Sequence, residues 1–206
     1  MADTKVTALT ELTAVEATDL LYVVDDPAGT PLSKKATAKN IVKAGGWEFI
    51  ASTVLGAPAA SIAFSSIPAY PLLQLYIIGQ AGAGGSANVP VLMIFNGDTG
   101  SNYYATHNDG TATAYLFAGD IAGTQSTPAV REGCAQCLIA NKASAYKSVL
   151  ARSNGGWLGP KPYLIERTGM WVNQSDAINA IALANNGGVN FVSGTAAYLF
   201  GMGVPQ

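Results

Sequence analysis

The sequence predicts an all-β protein: an antiparallel β-sandwich or jelly roll preceded by an extended N-terminal arm. Three observations carry this reading. Short apolar runs recur from residue 47 onward, with alternation clear at 61–67 and partial at 47–51, and alternation marks strands with one covered face. Clusters of Gly and Asn separate these runs, as at residues 82–85, 96–98, 108–110, 153–156 and 185–188, and supply the positive φ angles that tight turns need. Charge is distributed unevenly: residues 1–46 carry 11 charged side chains and the following 160 residues carry 13.

The charge step and the Gly45-Gly46 pair divide the chain into an arm, 1–46, and a β domain, 47–206. The arm has too few apolar residues for a core of its own. Residues 19–25 read as a strand closed by the turn signal Asp26-Pro27-Ala28-Gly29, and residues 34–41 as a second strand or a short helix. Such a segment becomes ordered by lying on something else. In the β domain, strands are expected at 47–51, 61–67, 72–78 and 89–95. Weaker ones are expected at 103–104, 111–117, 129–140 and 147–152, and further strands at 162–166, 177–183, 190–194 and 195–201. The run 72–78 is nearly continuous, as in a central strand buried on both faces. Residues 124–135 have room for one helical turn. No repeat of 20–50 residues is present, which argues against a propeller or solenoid.

Composition narrows the function classes. Charged residues make up 12% of the chain, about half the ~25% usual for soluble domains. A protein packed against copies of itself needs less surface charge than one that diffuses alone. The net charge of −2 offers no basic face for nucleic acid or anionic membranes. The N-terminal residues are polar, without the apolar stretch of an export signal, and no apolar run is long enough to span a bilayer. With two cysteines and no such signal, the expected setting for assembly is a reducing cytoplasm. Cys134 and Cys137 read as small, reduced, half-buried strand residues rather than a redox or zinc pair, since the single His107 leaves zinc short of ligands.

Motifs that suggest chemistry have plainer readings. Residues 96–100 contain one carboxylate, Asp98, where calcium needs several, so Asn96 and Asp98 are expected to bond their own backbone and shape a turn. Gly82-Ala83-Gly84-Gly85-Ser86 lacks the Lys of a phosphate loop. Seven acids lie beyond residue 46, with no spacing that places two on one strand face, and no Gly-x-Ser-x-Gly elbow accompanies His107. The expectation is a protein without catalysis, metal or cofactor. Tyr103, Tyr104, His107 and Asn108 lie near turns and are candidates for contact with a partner or a sugar.

Two stretches carry a resemblance. Residues 5–10 (KVTALT), 19–25 (DLLYVVD) and 33–37 (SKKAT) resemble the N-terminal attachment segment of tailed-phage head-fibre and tail-fibre proteins, although the Pro that follows Leu9 in that pattern is missing. Residues 95–103 (FNGDTGSNY) are similar to a signature in a β-sandwich module of phage structural proteins, and residues 47–50, 62–68 and 194–201 fit the same module. The resemblance implies a non-catalytic virion accessory protein, usually trimeric and assembled in the host cytoplasm. Its partners would be other capsid or tail proteins, with Leu9, Leu12, Leu20, Tyr22 and Val24 as docking anchors. The expected role is capsid decoration or head fibre; the alternative is a tail-fibre or receptor-binding protein that recognises a host-surface glycan.

Overall fold

The computed structural model describes residues 20–25, 32–37, 46–82, 88–105, 112–123, 132–154, 164–203 and 205. The chain divides into two units, 1–46 and 47–206. In the first, β1 (Leu20–Asp25) pairs antiparallel with β2 (Leu32–Thr37), from Leu20 opposite Thr37 to Asp25 opposite Leu32. Residues 38–41 of the second expected strand lie outside the described residues.

Among its described residues the second unit is built from strands, with one 3₁₀ turn at Asn186–Gly188. In chain order they are β3 (Trp47–Val54), β4 (Ser61–Phe64), β5 (Leu72–Ala81), β6 (Asn88–Phe95), β7 (Tyr103–Ala105), β8 (Ala112–Thr113) and β9 (Leu116–Gly123). Then follow β10 (Gly133–Ala140), β11 (Lys147–Asn154), β12 (Leu164–Trp171), β13 (Ile181–Asn185) and β14 (Ala196–Met202). This is the all-β, antiparallel class that alternation predicts. A larger sheet runs β3-β14-β5-β10-β11-β12-β7-β8, and a smaller one runs β4-β13-β6-β9. Every pairing within them is antiparallel; a two-residue parallel bridge, Gln80-Ala81 beside Ala122-Gly123, joins β5 to β9 at the seam.

The core lies between the sheets. Leu73, Leu75 and Ile77 of β5, Val91, Met93 and Phe95 of β6, and Ala135, Cys137 and Ile139 of β10 all point inward and are buried. The remaining large core groups include Trp171, Tyr103, Phe191 and Leu199. Burial of this kind contributes about 1.5–3 kcal/mol per large apolar side chain before ordering costs.

Strand β9 brings the two sheets unusually close. All its residues are buried, and small groups line the contact. A Cβ placed on Gly119 would come within 2.8 Å of the Ala135 Cβ and 3.0 Å of the Ser153 Cβ. One placed on Gly133 would lie 2.7 Å from the Ile121 Cα. Leu116 sits over Gly169 of β12, Gly119 over β10 and β11, and Gly123 beside β5, so β9 runs obliquely across the larger sheet. Asp120 in this strand is 3% exposed and is paired with Arg167 of β12 at 2.8 Å. The Arg167 guanidinium also lies over the Phe117 ring. Buried charge of this sort survives only when paired.

Several expectations are corrected. β5 is central but alternates, one face buried and the other partly open, with Ile78 40% exposed, because only one side of the larger sheet is covered. Ala135, expected near a helical turn, is in β10; residues 124–131 of that stretch lie outside the described residues. The expected strand at 190–194 reduces to bridges at Phe191. The strands expected at 162–166 and 177–183 are shifted to β12 and β13, and β9 continues six residues past its expected end at Phe117. Cys134 is exposed and Cys137 fully buried, on opposite faces of β10, and the Cys137 thiol contacts the Ala118 carbonyl at 2.9 Å.

Gly119→Ala tests the close approach of β9. It combines a positive φ of 116° with that short contact, and is expected to lower the unfolding free energy by about 2–4 kcal/mol. Gly97→Ala, at φ 70° but with nothing within 4 Å, is expected to cost only about 1–2 kcal/mol. Urea denaturation of the two variants measures the difference.

Candidate functional site

The stretch 95–103 forms a closed corner where the chain passes from β6 in the smaller sheet to β7 in the larger one. Asn96 and Gly97 both take positive φ, 51° and 70°, and Asp98 N–H donates to the Phe95 carbonyl at 2.9 Å. The Asp98 carboxylate then accepts bonds from Gly100 N–H (2.9 Å), Asn102 Nδ2 (2.9 Å) and Trp171 Nε1 (2.7 Å). The Tyr103 hydroxyl accepts from Phe95 N–H and donates to the Asp98 carbonyl, both at 3.0 Å. Rings of Phe95, Tyr103 and Trp171 pack together beneath, with Tyr103 stacked on Trp171 at 6.2 Å.

Asp98 thus bonds its own turn as expected. Asn96 does not: its side chain reaches the 177–180 segment, donating to the Ala177 carbonyl and accepting from Asn179 and Ala180 N–H. Burial raises the Asp98 pKa, but the bonds from Trp171, Asn102 and Gly100 outweigh it and hold the carboxyl below its usual value.

Beside this corner Lys147 is fully buried. Its Nζ donates to the carbonyls of Ala143 (3.3 Å), Ala145 (2.8 Å) and Asn173 (2.7 Å) and lies over the Trp171 ring. Three carbonyls use all three ammonium donors, so this lysine clamps two loops. Burial lowers its pKa, an effect Asp176 opposes. Nothing local in the sequence distinguishes Lys147 from an ordinary strand residue.

The contact candidates separate. Tyr103 is 0% exposed; its ring and hydroxyl are spent on the corner, so it is corrected from a surface contact to a core residue. Tyr104, its neighbour on the other face of β7, is 38% exposed and lines a shallow groove of about 680 Å³ with Leu138, Leu150 and Met170. His107 and Asn108 lie outside the described residues. So do Leu9 and Leu12, whereas Leu20, Tyr22 and Val24 occupy alternate positions of β1, opposite Thr37, Lys35 and Ser33.

A second, polar cleft of about 350 Å³ lies at the corner itself, lined by Asp98, Asn102, Tyr146, Asn173, Gln174 and Ser175 among others. The groove and this cleft were both missed from sequence. Their residues come from separate strands and loops, although apolar residues on both faces of 138–140 and 149–150 were a signal for the groove. Among the described residues no three of His, Cys, Asp and Glu gather to hold a metal, and no helix is long and apolar enough to cross a membrane. The sequence matches no family model and no curated protein.

The corner predicts a pH dependence. The unfolded value is near 3.8 and the folded one is lower, so the Asp98 contribution is complete above that pH and is lost as pH falls through the folded value. Asp98→Asn is expected to be less stable than the parent at pH 7, with the gap narrowing on acidification below 3.8. Asp98→Ala, which leaves Trp171 Nε1 without its acceptor, should cost about 2–3 kcal/mol. Thermal unfolding at pH 7 and pH 3 reads both.

Proposed function

We propose that this chain is a structural component of a tailed-phage particle, a capsid decoration or head-fibre protein. In this reading it is anchored through residues 1–46, and copies associate as trimers through residues 47–206. The observation that carries the reading is that the two stretches resembling phage proteins fall one in each unit of the chain, 5–37 in the first and 95–103 in the second. The corner supports it further: Phe95, Asp98, Gly100, Asn102 and Tyr103 each have a geometric task in joining two sheets, so the signature is accounted for by architecture, with no reaction required. The acids point the same way. Asp120 is neutralised by Arg167, Glu166 by Arg152, and Asp98 holds Trp171.

The arm would attach by adding main-chain hydrogen bonds to a neighbouring sheet or surface, with its leucines and Tyr22 as anchors. Affinity in that mode comes from backbone pairing, so a plain sequence suffices, and three arms acting together bind far more tightly than one.

A second reading, a tail-fibre or receptor-binding protein directed at a host-surface glycan, is favoured by the polar cleft. Tyr146 is 45% exposed there, beside the amides of Asn102, Asn173 and Gln174. An aromatic face with fixed amides and a carboxylate is chemistry that suits a sugar ring.

Deleting residues 1–46 tests the first reading. The remaining domain is expected to stay folded and soluble, to keep its oligomeric state, and to be lost from particles in a sedimentation assay. Incorporation at parental level would defeat it. Copy number separates the two readings: hundreds per particle fit decoration, whereas about a dozen with glycan binding fit the tail.

A further inference from the structure

The larger sheet has one covered and one open face. On the open face of its six long strands, β3, β14, β5, β10, β11 and β12, the described residues include one cation and one anion. These are Arg152 and Glu166, paired with each other at 2.9 Å. The rest is apolar or uncharged, and several large apolar groups are bare: Phe49 is 55% exposed, Leu164 65%, Leu150 39% and Leu138 37%. Adjacent strands lie about 4.8 Å apart and rise about 3.3 Å per residue, so six strands of some eight residues cover about 700 Å² in projection. A stable association needs roughly 800 Å² of accessible surface from each partner, and a rough, side-chain-bearing face of this extent supplies that. Its balanced charge suits neither nucleic acid nor an anionic membrane, and lets the face meet itself without like-charge cost.

The face also carries a knob and a groove. At the β3 side, Phe49 stands edge-on to Phe200, and Phe200 edge-on to Tyr76, at 5.8 and 6.0 Å between ring centroids. At the β7 side lies the groove of about 680 Å³ that Leu138, Leu150, Met170 and Tyr104 line. Strand registers place the two at one level: Phe49 is opposite Phe200, Phe200 opposite Gln74, Gln74 opposite Leu138, and Leu138 opposite Leu150. Between knob and groove are about 15–20 Å across the strands, with no displacement along them. A head-to-tail contact closes into a ring when successive copies are related by rotation without translation, and a knob level with its groove allows this about an axis parallel to the strands.

We propose that the open face of the larger sheet is the surface through which copies of this chain assemble, the Phe49–Phe200 aromatic knob of one copy seated in the Leu138–Leu150–Met170 groove of the next. The inference rests on the self-association in the proposed function and names the surface that performs it. The parent chain is expected to run as a trimer in light scattering. Phe49→Asp and Leu150→Glu, both at exposed positions, should give folded monomers, with the concentration needed for assembly raised at least thirtyfold, about 2 kcal/mol for the loss of a central anchor. An equimolar mixture of the two variants should recover a 1:1 pair, because one retains the groove and the other the knob. Cys134, exposed on the same face, reports without a core substitution: a thiol reagent should modify it more slowly in the assembled parent than in either monomer.

Trimers that persist in both variants with Cys134 fully reactive would overturn the choice of face and leave self-association standing. A parent that stays monomeric would end both, and a monomer with protected Cys134 would assign the face to another segment of the same chain.

Discussion

The corner at Asp98 is the constraint on which the architecture turns. The chain has to leave the smaller sheet at Phe95 and enter the larger one at Tyr103 within seven intervening residues, and a turn this tight exposes backbone donors that need acceptors. One carboxylate meets that need: it gathers the N–H of Gly100, the amide of Asn102 and the indole of Trp171. Because Trp171 ends β12, the same group also sets the distance between the sheets there. Beneath it the three rings fill the gap, and the Tyr103 hydroxyl returns to the turn backbone. Local turn geometry and long-range packing are thereby one structure.

Elsewhere between the sheets the device is different. Glycines and alanines let β9 lie almost on the backbone of β10 and β11, and the cost of bringing Asp120 inside is offset by Arg167 and by the Ser153 hydroxyl, which accepts the Asp120 N–H at 2.9 Å. Lys147, with its three carbonyls, closes the loops around the corner. Buried charge is therefore compensated group by group, while the open face of the larger sheet is almost without charge. The low charge content of the chain is concentrated in its consequences: it leaves a broad, nearly uncharged surface in one place.

Much of the strand pattern was readable because alternation and turn chemistry are local. β4 announces itself by the period of its apolar residues, β6 by a nearly continuous apolar run, and the Asn-Gly turn after Phe95 by residue types that tolerate positive φ. The failures are equally physical. β9, with the sequence LFAGDIAG, is buried along its whole length and holds small residues on both faces, so no periodicity survives to mark it. β5 looked buried on both faces because apolar residues occupy its open face too. Tyr103 looked available because it follows a turn; its neighbour Tyr104, one residue on, is the one that faces out. The groove beside Tyr104 left only a partial trace, the apolar residues on both faces of 138–140 and 149–150, since its walls come from five strands, β5, β7, β10, β11 and β12, that the sheet alone brings together.

What the sequence determined unaided is whatever depends on neighbours a few residues apart: strand class, hairpin turns, the division near Gly46, and the scarcity of charge. What only the tertiary structure decided is which face of each strand is covered and which polar groups meet. Asp98 and Trp171 are separated by 73 positions, Asp120 and Arg167 by 47, and no local rule couples residues so far apart. Their partnership exists because stacking two sheets brings the strands into register, and the energy of a buried bond depends on where its partner lies in space.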